Sequence, residues 1–399
     1  MHTRYKSVVL ILGLSVFSAI TTELGVVGVL PEFGERFGIS VSRAGLLVSL
    51  FALVVALAGP FVALAVSGLN RKWVLVAMMS VFALSNVVYA LSTNFGLSLL
   101  FRVIPALIHA SLFSVAIAVA VSMARPGTKT KASAQVFAGV AIGLVLGVPI
   151  TSFIAGTVNL EVAFLAAAAA SAFAVVGIVL VMPTMPVREK LSYGEQLRIL
   201  RKPQVWMNVS TVVFIFAAMF AVYSYFAEYL DDVTGLANPW TGVLLMVFGI
   251  FGVLGNYLLA ALLHRNVHRT VMWYPLAFFA VYALVQFFGS YAVPMIALVV
   301  VWGVLHSGGL IVSQTWLSAE CAEAPVFGNS LYLSFSNLGI AIGSAVGGWV
   351  ISQLGTENLL LSGLLFSALA AGSILLRTRI HGQVPTLHEQ AEDSAVKVG

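Results

Sequence analysis

Apolar residues along this chain come in long unbroken runs, not in the alternating or one-faced patterns of soluble strands and helices. Twelve runs are long enough to cross a bilayer as helices, which takes about 20 mostly apolar residues. They cover residues 7–30, 44–67, 73–91, 97–123, 132–156 and 162–182, then 205–229, 240–263, 271–289, 293–317, 326–354 and 359–376. The pattern predicts an all-α membrane protein with 12 transmembrane helices in two six-helix pseudo-symmetric bundles. Residues 1–182 form the N-terminal bundle, 183–203 a cytoplasmic linker, 204–376 the C-terminal bundle and 377–399 a cytoplasmic tail.

Composition agrees. The 399 residues are 60% hydrophobic and only 9% charged, where a soluble domain carries roughly 25% charge. The pI of about 9.3 does not indicate nucleic acid, because the basic residues are spread over short loops. If both termini are cytoplasmic, 17 of the 20 lysines and arginines fall on cytoplasmic stretches; Arg36 and Arg43 lie outside and Arg102 within a run. That asymmetry is what the positive-inside rule requires, and an inverted or odd-numbered topology would destroy it.

The halves repeat weakly. Gly139, Gly143 and Gly147 in the fifth run recur as Gly339, Gly343 and Gly347 in the eleventh, 200 residues later in each case. Residues four apart share a helical face, so each ladder forms a groove that admits a neighbouring backbone; Pro149 then removes one donor and permits a bend. The second run ends in Gly68, Arg71 and Lys72, and the eighth in a similarly basic stretch, 264–269. A duplicated six-helix unit with a basic linker is a transporter layout.

One acid lies deep in an apolar run: Glu23, in SVVLILGLSVFSAITTELGVVGVL at 7–30. A charge near the bilayer centre costs at least ~2.5 kcal/mol and signals a partner or a function. Glu23 lies seven residues before the outer end of its run at Leu30, and Arg102 five residues after the outer start of the fourth at Leu97. At about 1.5 Å per residue both sit about 8–11 Å below the outer boundary, so a Glu23–Arg102 pair is expected. Burial disfavours the carboxylate and a guanidinium favours it; such a pair is either a proton switch or a static structural contact. His109, two turns from Arg102, is a proton relay, a substrate hydrogen-bond partner or a packed core histidine; His306, beside Gly308 and Gly309, is a substrate-cavity ligand or a packed core histidine. Tyr223 and Tyr225 are expected as walls of a substrate cavity, with Asn256, Gln314, Ser334 and Asn337 as further polar candidates; helix–helix hydrogen bonding is the alternative for those four.

Several stretches together resemble one family. GVAIGLVLGVP (139–149), TTELGVVGVLPEF (21–33), FRVIPALIHASLF (101–113) and NLGIAIGSAVGG (337–348) resemble signatures of the drug:proton antiporters of the major facilitator superfamily. The likeness is to the arabinose- and sugar-efflux-like bacterial inner-membrane exporters and covers residues 7–376. It implies the major facilitator fold, proton-coupled efflux by alternating access, Glu23, Arg102 and His109 as proton-coupling residues, and the loop at Gly68–Lys72 as a conformational motif. Two departures stand out: that loop has Ser67 and Asn70 where an acid is usual, and NLEVA (159–163) replaces a frequent Gly-Trp-Arg.

Cys321 is the single cysteine, so there is no internal disulfide framework. No phosphate-binding loop, metal-spaced His/Cys cluster or Ser/His/Asp set is visible. The expectation is therefore a transporter, not an enzyme, with no cofactor or metal. Its partners are a small-molecule substrate, protons and the lipid bilayer, and one chain already contains a complete pathway and works as a monomer. An uncoupled facilitator or importer of a sugar or nucleoside is the alternative within transport. A membrane receptor on a transporter fold is the alternative of another class.

Overall fold

The computed structural model describes residues 2–125, 128–186, 194–236, 239–321 and 325–382. Linker positions 187–193 and tail positions 383–399 lie outside the described residues. Twelve helices are long and apolar enough to span a membrane: α1 (Tyr5–Phe37), α2 (Val41–Gly59), α3 (Arg71–Leu91), α4 (Phe95–Met123), α5 (Lys131–Thr157), α6 (Leu160–Val181), α7 (Pro203–Tyr223), α8 (Trp240–Arg265), α9 (Val267–Phe288), α10 (Ala292–Ser318), α11 (Phe327–Leu354) and α12 (Thr356–His381). Among the described residues there is no strand. A helix satisfies most of its own backbone groups, the condition for crossing hydrocarbon.

Contacts divide the chain into two compact units, Met1–Ser192 with Ser224–Met246, and Tyr193–Tyr223 with Val247–Gly399. The seventh span ends at Tyr223, not 229, and the segment after it belongs to the first unit. Every span is apolar around its whole circumference, so burial identifies the central ones. In α1 and α7, 72% of the spanning window is buried, against 39–56% in the others.

The glycine ladders explain how α1 and α7 are gripped. A Cβ at Gly139 would strike the Gly13 carbonyl and sit 3.1 Å from Phe17 N, and one at Gly143 would sit 2.8 Å from Ile20. In the second unit a Cβ at Gly339 would sit 2.6 Å from Val213 O, and one at Gly343 2.8 Å from Ala217 Cα. Hydrocarbon offers helices little reason to associate, so close backbone approach and dispersion do the holding. In α5 the ladder coincides with a widened π turn over Gly143–Gly147, closed by the Val148 N–H on Gly143 O, with Pro149 directly after it. Gly147 faces Thr21, and Gly347 is buried.

The basic loop before α3 is held without an acid. Asn70 caps the helix, its side chain accepting from the Lys72 N–H at 3.1 Å. Lys72 Nζ donates to Val179 O at 2.7 Å, near the end of α6, and Arg71 Nη1 to Ala118 O at 3.4 Å in α4. Cations placed on the last carbonyls of a helix answer both its orphan acceptors and its dipole.

Candidate functional site

α1 is not one continuous α-helix. Its α-helical part ends at Leu24, a tight 3-10 turn follows over Gly25–Val29, and α-helix resumes at Leu30. A side chain at Gly28 would collide with Leu245 and Ser152, each 2.9 Å from its Cβ, so only glycine fits there. The break leaves carbonyls of the preceding turn without intrahelical donors. Within the 3-10 turn itself, Ser152 Oγ donates to Gly28 O at 2.8 Å.

Arg102 serves two of those carbonyls, and here the expected Glu23–Arg102 ion pair is corrected. The Arg102 guanidinium is fully buried and donates to three backbone carbonyls: Thr22 at 2.6 Å, Glu23, and Leu47 of α2. It also lies 4.5 Å from the Phe51 ring centre and 5.9 Å from that of Tyr89. A fork of five N–H donors matches the carbonyls freed by a broken helix better than it matches one carboxylate. The negative end of the α1 dipole falls at the same place. Arg102 thus ties α1, α2 and α4 together.

The side-chain partner of Glu23 is His109. Its Nε2 lies 3.2 Å from Glu23 Oε2, and both side chains are about nine-tenths buried. Phe51 and Phe113 enclose the imidazole at 5.3 and 4.8 Å between ring centres, and Phe82 stands at 6.2 Å. His109 Nδ1 is buried without a hydrogen-bond partner. The hydroxyl of Thr22 links α1 to α3, accepting from Asn86 Nδ2 at 2.8 Å, and Ser18 meets Ser171 of α6 at 2.6 Å. Aromatic faces thus enclose the pair, and hydroxyls of the same helix tie α1 to α3 and α6.

In the second unit His306 is buried among rings: Tyr223 at 4.6 Å, Phe248 at 5.1 Å, Phe220 at 5.4 Å and Phe278 at 6.5 Å. The other expected cavity residues are not brought together. Tyr225 lies beyond the break, buried in the first unit with its hydroxyl against Gly45, which corrects its placement on the seventh span. Gln314 is exposed and donates to Asn329 at 3.3 Å. Asn337 is buried and bonds its own helix at Leu333 O, 2.9 Å away. Asn256 and Ser334 are half-buried. The enclosing phenylalanines were not legible as site residues; their recurrence at a near-constant offset in the two halves was the available signal.

A second acid stands apart. Glu228 follows the α7 break, outside the spans, and burial together with Asp232, Asp231 and Glu32 pushes its carboxyl up to about 7. Among the described residues no group of His, Cys, Asp and Glu could hold a metal ion.

Comparisons with known proteins bear on this architecture. Residues 12–326 match the family described as Major Facilitator Superfamily. The inner membrane transport protein YdhP of Escherichia coli K12 is 27% identical over 371 residues, covering 93% of this chain and 95% of that one. The purine ribonucleoside efflux pump NepI of the same organism is 25% identical over 348 residues, covering 87% and 88%. The crystal structure of a bacterial homolog of the human lysosomal transporter Spinster shares the fold with a TM-score of 0.79 at 17% identity, over 94% of this chain and 97% of that one. The nucleoside transporter NupG shares it with a TM-score of 0.73 at 15% identity, over 94% and 98%. With twelve spanning helices and a family match over most of its length, the chain belongs to the Major Facilitator Superfamily and is a membrane transporter of small solutes.

Proposed function

We propose that this transporter exports a small organic solute, such as a drug, sugar or metabolite, in exchange for protons. It resides in the bacterial inner membrane with both termini cytoplasmic and works as a monomer. The halves 1–182 and 204–376 alternate the exposure of a site near mid-membrane, as in repeat-built transporters generally. The observation that carries the reading is the Glu23–His109 pair, buried where α1 breaks. A carboxylate paired to an imidazole inside hydrocarbon binds a proton with a charge change of one, and Arg102 leaves the side-chain pair free to do so because its donors are engaged by carbonyls. Proton uptake neutralises Glu23, loosens its hold on His109 and shifts the balance between states; release on the other side restores it. Efflux is supported by NepI, named a purine ribonucleoside efflux pump.

The test is substrate-driven proton movement in vesicles after Glu23→Gln. Purine ribonucleosides come first in a screen of cells lacking other exporters. Loss of proton movement with the protein still in the membrane is expected; undiminished movement overturns the proposal. An uncoupled facilitator, the second reading, would transport identically with and without an imposed pH gradient.

A further inference from the structure

The two units build the same four-cornered frame. In the first, Glu23 on α1, Phe51 on α2 and Phe82 on α3 face His109 on α4. In the second, Tyr223 on α7, Phe248 on α8 and Phe278 on α9 face His306 on α10. The corresponding residues are 200, 197, 196 and 197 positions apart. The geometry repeats as well: Phe51–His109 and Phe248–His306 are 5.3 and 5.1 Å, and Phe82–His109 and Phe278–His306 are 6.2 and 6.5 Å. In both, the α-helix stops at or just after the first corner, at Leu24 and at Tyr223. In both, one ring nitrogen of the histidine, Nδ1, is buried without a partner.

Each frame adds one ring the other lacks, Phe113 in the first and Phe220 in the second, and the charges differ. The first frame has Glu23, His109 and Arg102, with Tyr89 on α3, while α5 and α6 face α1 with the hydroxyls of Thr151 and Ser171. Where Arg102 lies over Phe51 and Tyr89, the second frame has Trp302 edge-on to Phe248 and Tyr282. Its ionisable neighbours among the described residues are tyrosines: Tyr223 on α7, Tyr274 and Tyr282 on α9, and Tyr332 on α11.

We infer that the Tyr223–His306 frame is a second copy of the proton site whose acid has been replaced, so that the chain binds one proton per cycle, at Glu23–His109, and retains a latent second place for a carboxylate. This rests on the proposed proton coupling at Glu23. The probe is the proton itself, so no substrate is needed. The infrared signal of protonated carboxyl groups is followed against pH in purified protein, in a Glu228→Gln background that removes the acid shifted outside the spans. One buried carboxyl is expected to titrate, to vanish with Glu23→Gln and to return in Glu23→Gln/Tyr223→Glu; Tyr223→Glu alone doubles the signal. A signal unchanged by Glu23→Gln overturns the coupling site itself. A signal lost with Glu23→Gln and not regained by the double variant overturns only the latent site. If Tyr223→Glu fails to fold while Tyr223→Gln melts like the parent, the frame rejects an acid and the inference falls. If neither folds, the Glu23→Gln protein decides: a remaining buried carboxyl titration excludes the single proton.

Discussion

The two units solve one packing problem with opposite electrostatics. Each passes a central helix, α1 or α7, through a cage of neighbours and seals it with a glycine ladder 200 residues from its counterpart. Each then breaks that helix beside a ring-enclosed histidine. In the first unit the break is stabilised by a buried guanidinium and the histidine meets a carboxylate. In the second the corresponding places hold Trp302 and Tyr223. Under the proposed coupling, an enclosure of aromatic rings does not by itself make a proton site. It excludes water and fixes geometry; an ionisable partner must be added, and in hydrocarbon that partner is costly enough to be present in one copy.

Removing the charges should separate the units most sharply. Arg102→Ala leaves the two carbonyls freed by the break, Thr22 and Glu23, without donors, each an expected loss of ~1–3 kcal/mol. The prediction is a collapse of thermal stability in detergent and of membrane yield, whereas Trp302→Phe, which loses area but leaves no carbonyl unserved, lowers the melting temperature only modestly. Equal losses would show that Arg102 is not the anchor of the break.

Steric tests should instead treat the units alike. Gly139→Val and Gly339→Val both drive a side chain into the backbone of the central helix, and overpacking of this kind costs typically 1–3 kcal/mol. Comparable drops in melting temperature are expected; a large effect in one unit alone would break the structural equivalence.

The histidines offer a functional contrast. His109→Gln should flatten the pH dependence of transport, because the carboxyl of Glu23 loses the imidazole it is paired with. His306→Gln should leave that profile in place and act on turnover or apparent affinity. A profile altered equally by both would erase the electrostatic distinction between the frames.

The smallest effect concerns Glu228, which belongs to the first unit yet lies outside the spans. Its folded carboxyl titrates at about 7, above the ordinary 4.5, so between those values the folded state holds more proton than the unfolded one. Stability should therefore fall as pH rises from about 4.5 to about 7 and level off above. Glu228→Gln should flatten that slope in thermal melts, and an unchanged slope would assign it to another group.

Much of this molecule was legible in its sequence. Runs of spanning length, the charge asymmetry of the loops and the repeated glycines led to twelve helices and two related halves. Glu23 stood out because an acid in hydrocarbon is costly, and Arg102 and His109 because they share its neighbourhood. What could not be read was which of them meets the carboxylate. Depth along two helices places Glu23, Arg102 and His109 within reach of one another but says nothing about rotation about the helix axis. The deciding event is a backbone one: the turn at Gly25–Val29 frees carbonyls, and these capture the arginine and leave the histidine for the acid. Tyr225 illustrates the same limit, since an apolar run to 229 hides a break at 223 that only tertiary contacts produce.

Hydrophobicity is local and additive, so the sequence by itself determined how many times the chain crosses the membrane, where the halves repeat and which buried acid must have a purpose. Partner choice inside the bundle is neither local nor additive. It depends on which backbone groups the packing leaves unsatisfied, and the tertiary structure alone decided that Arg102 holds the helix break and that His109 holds Glu23.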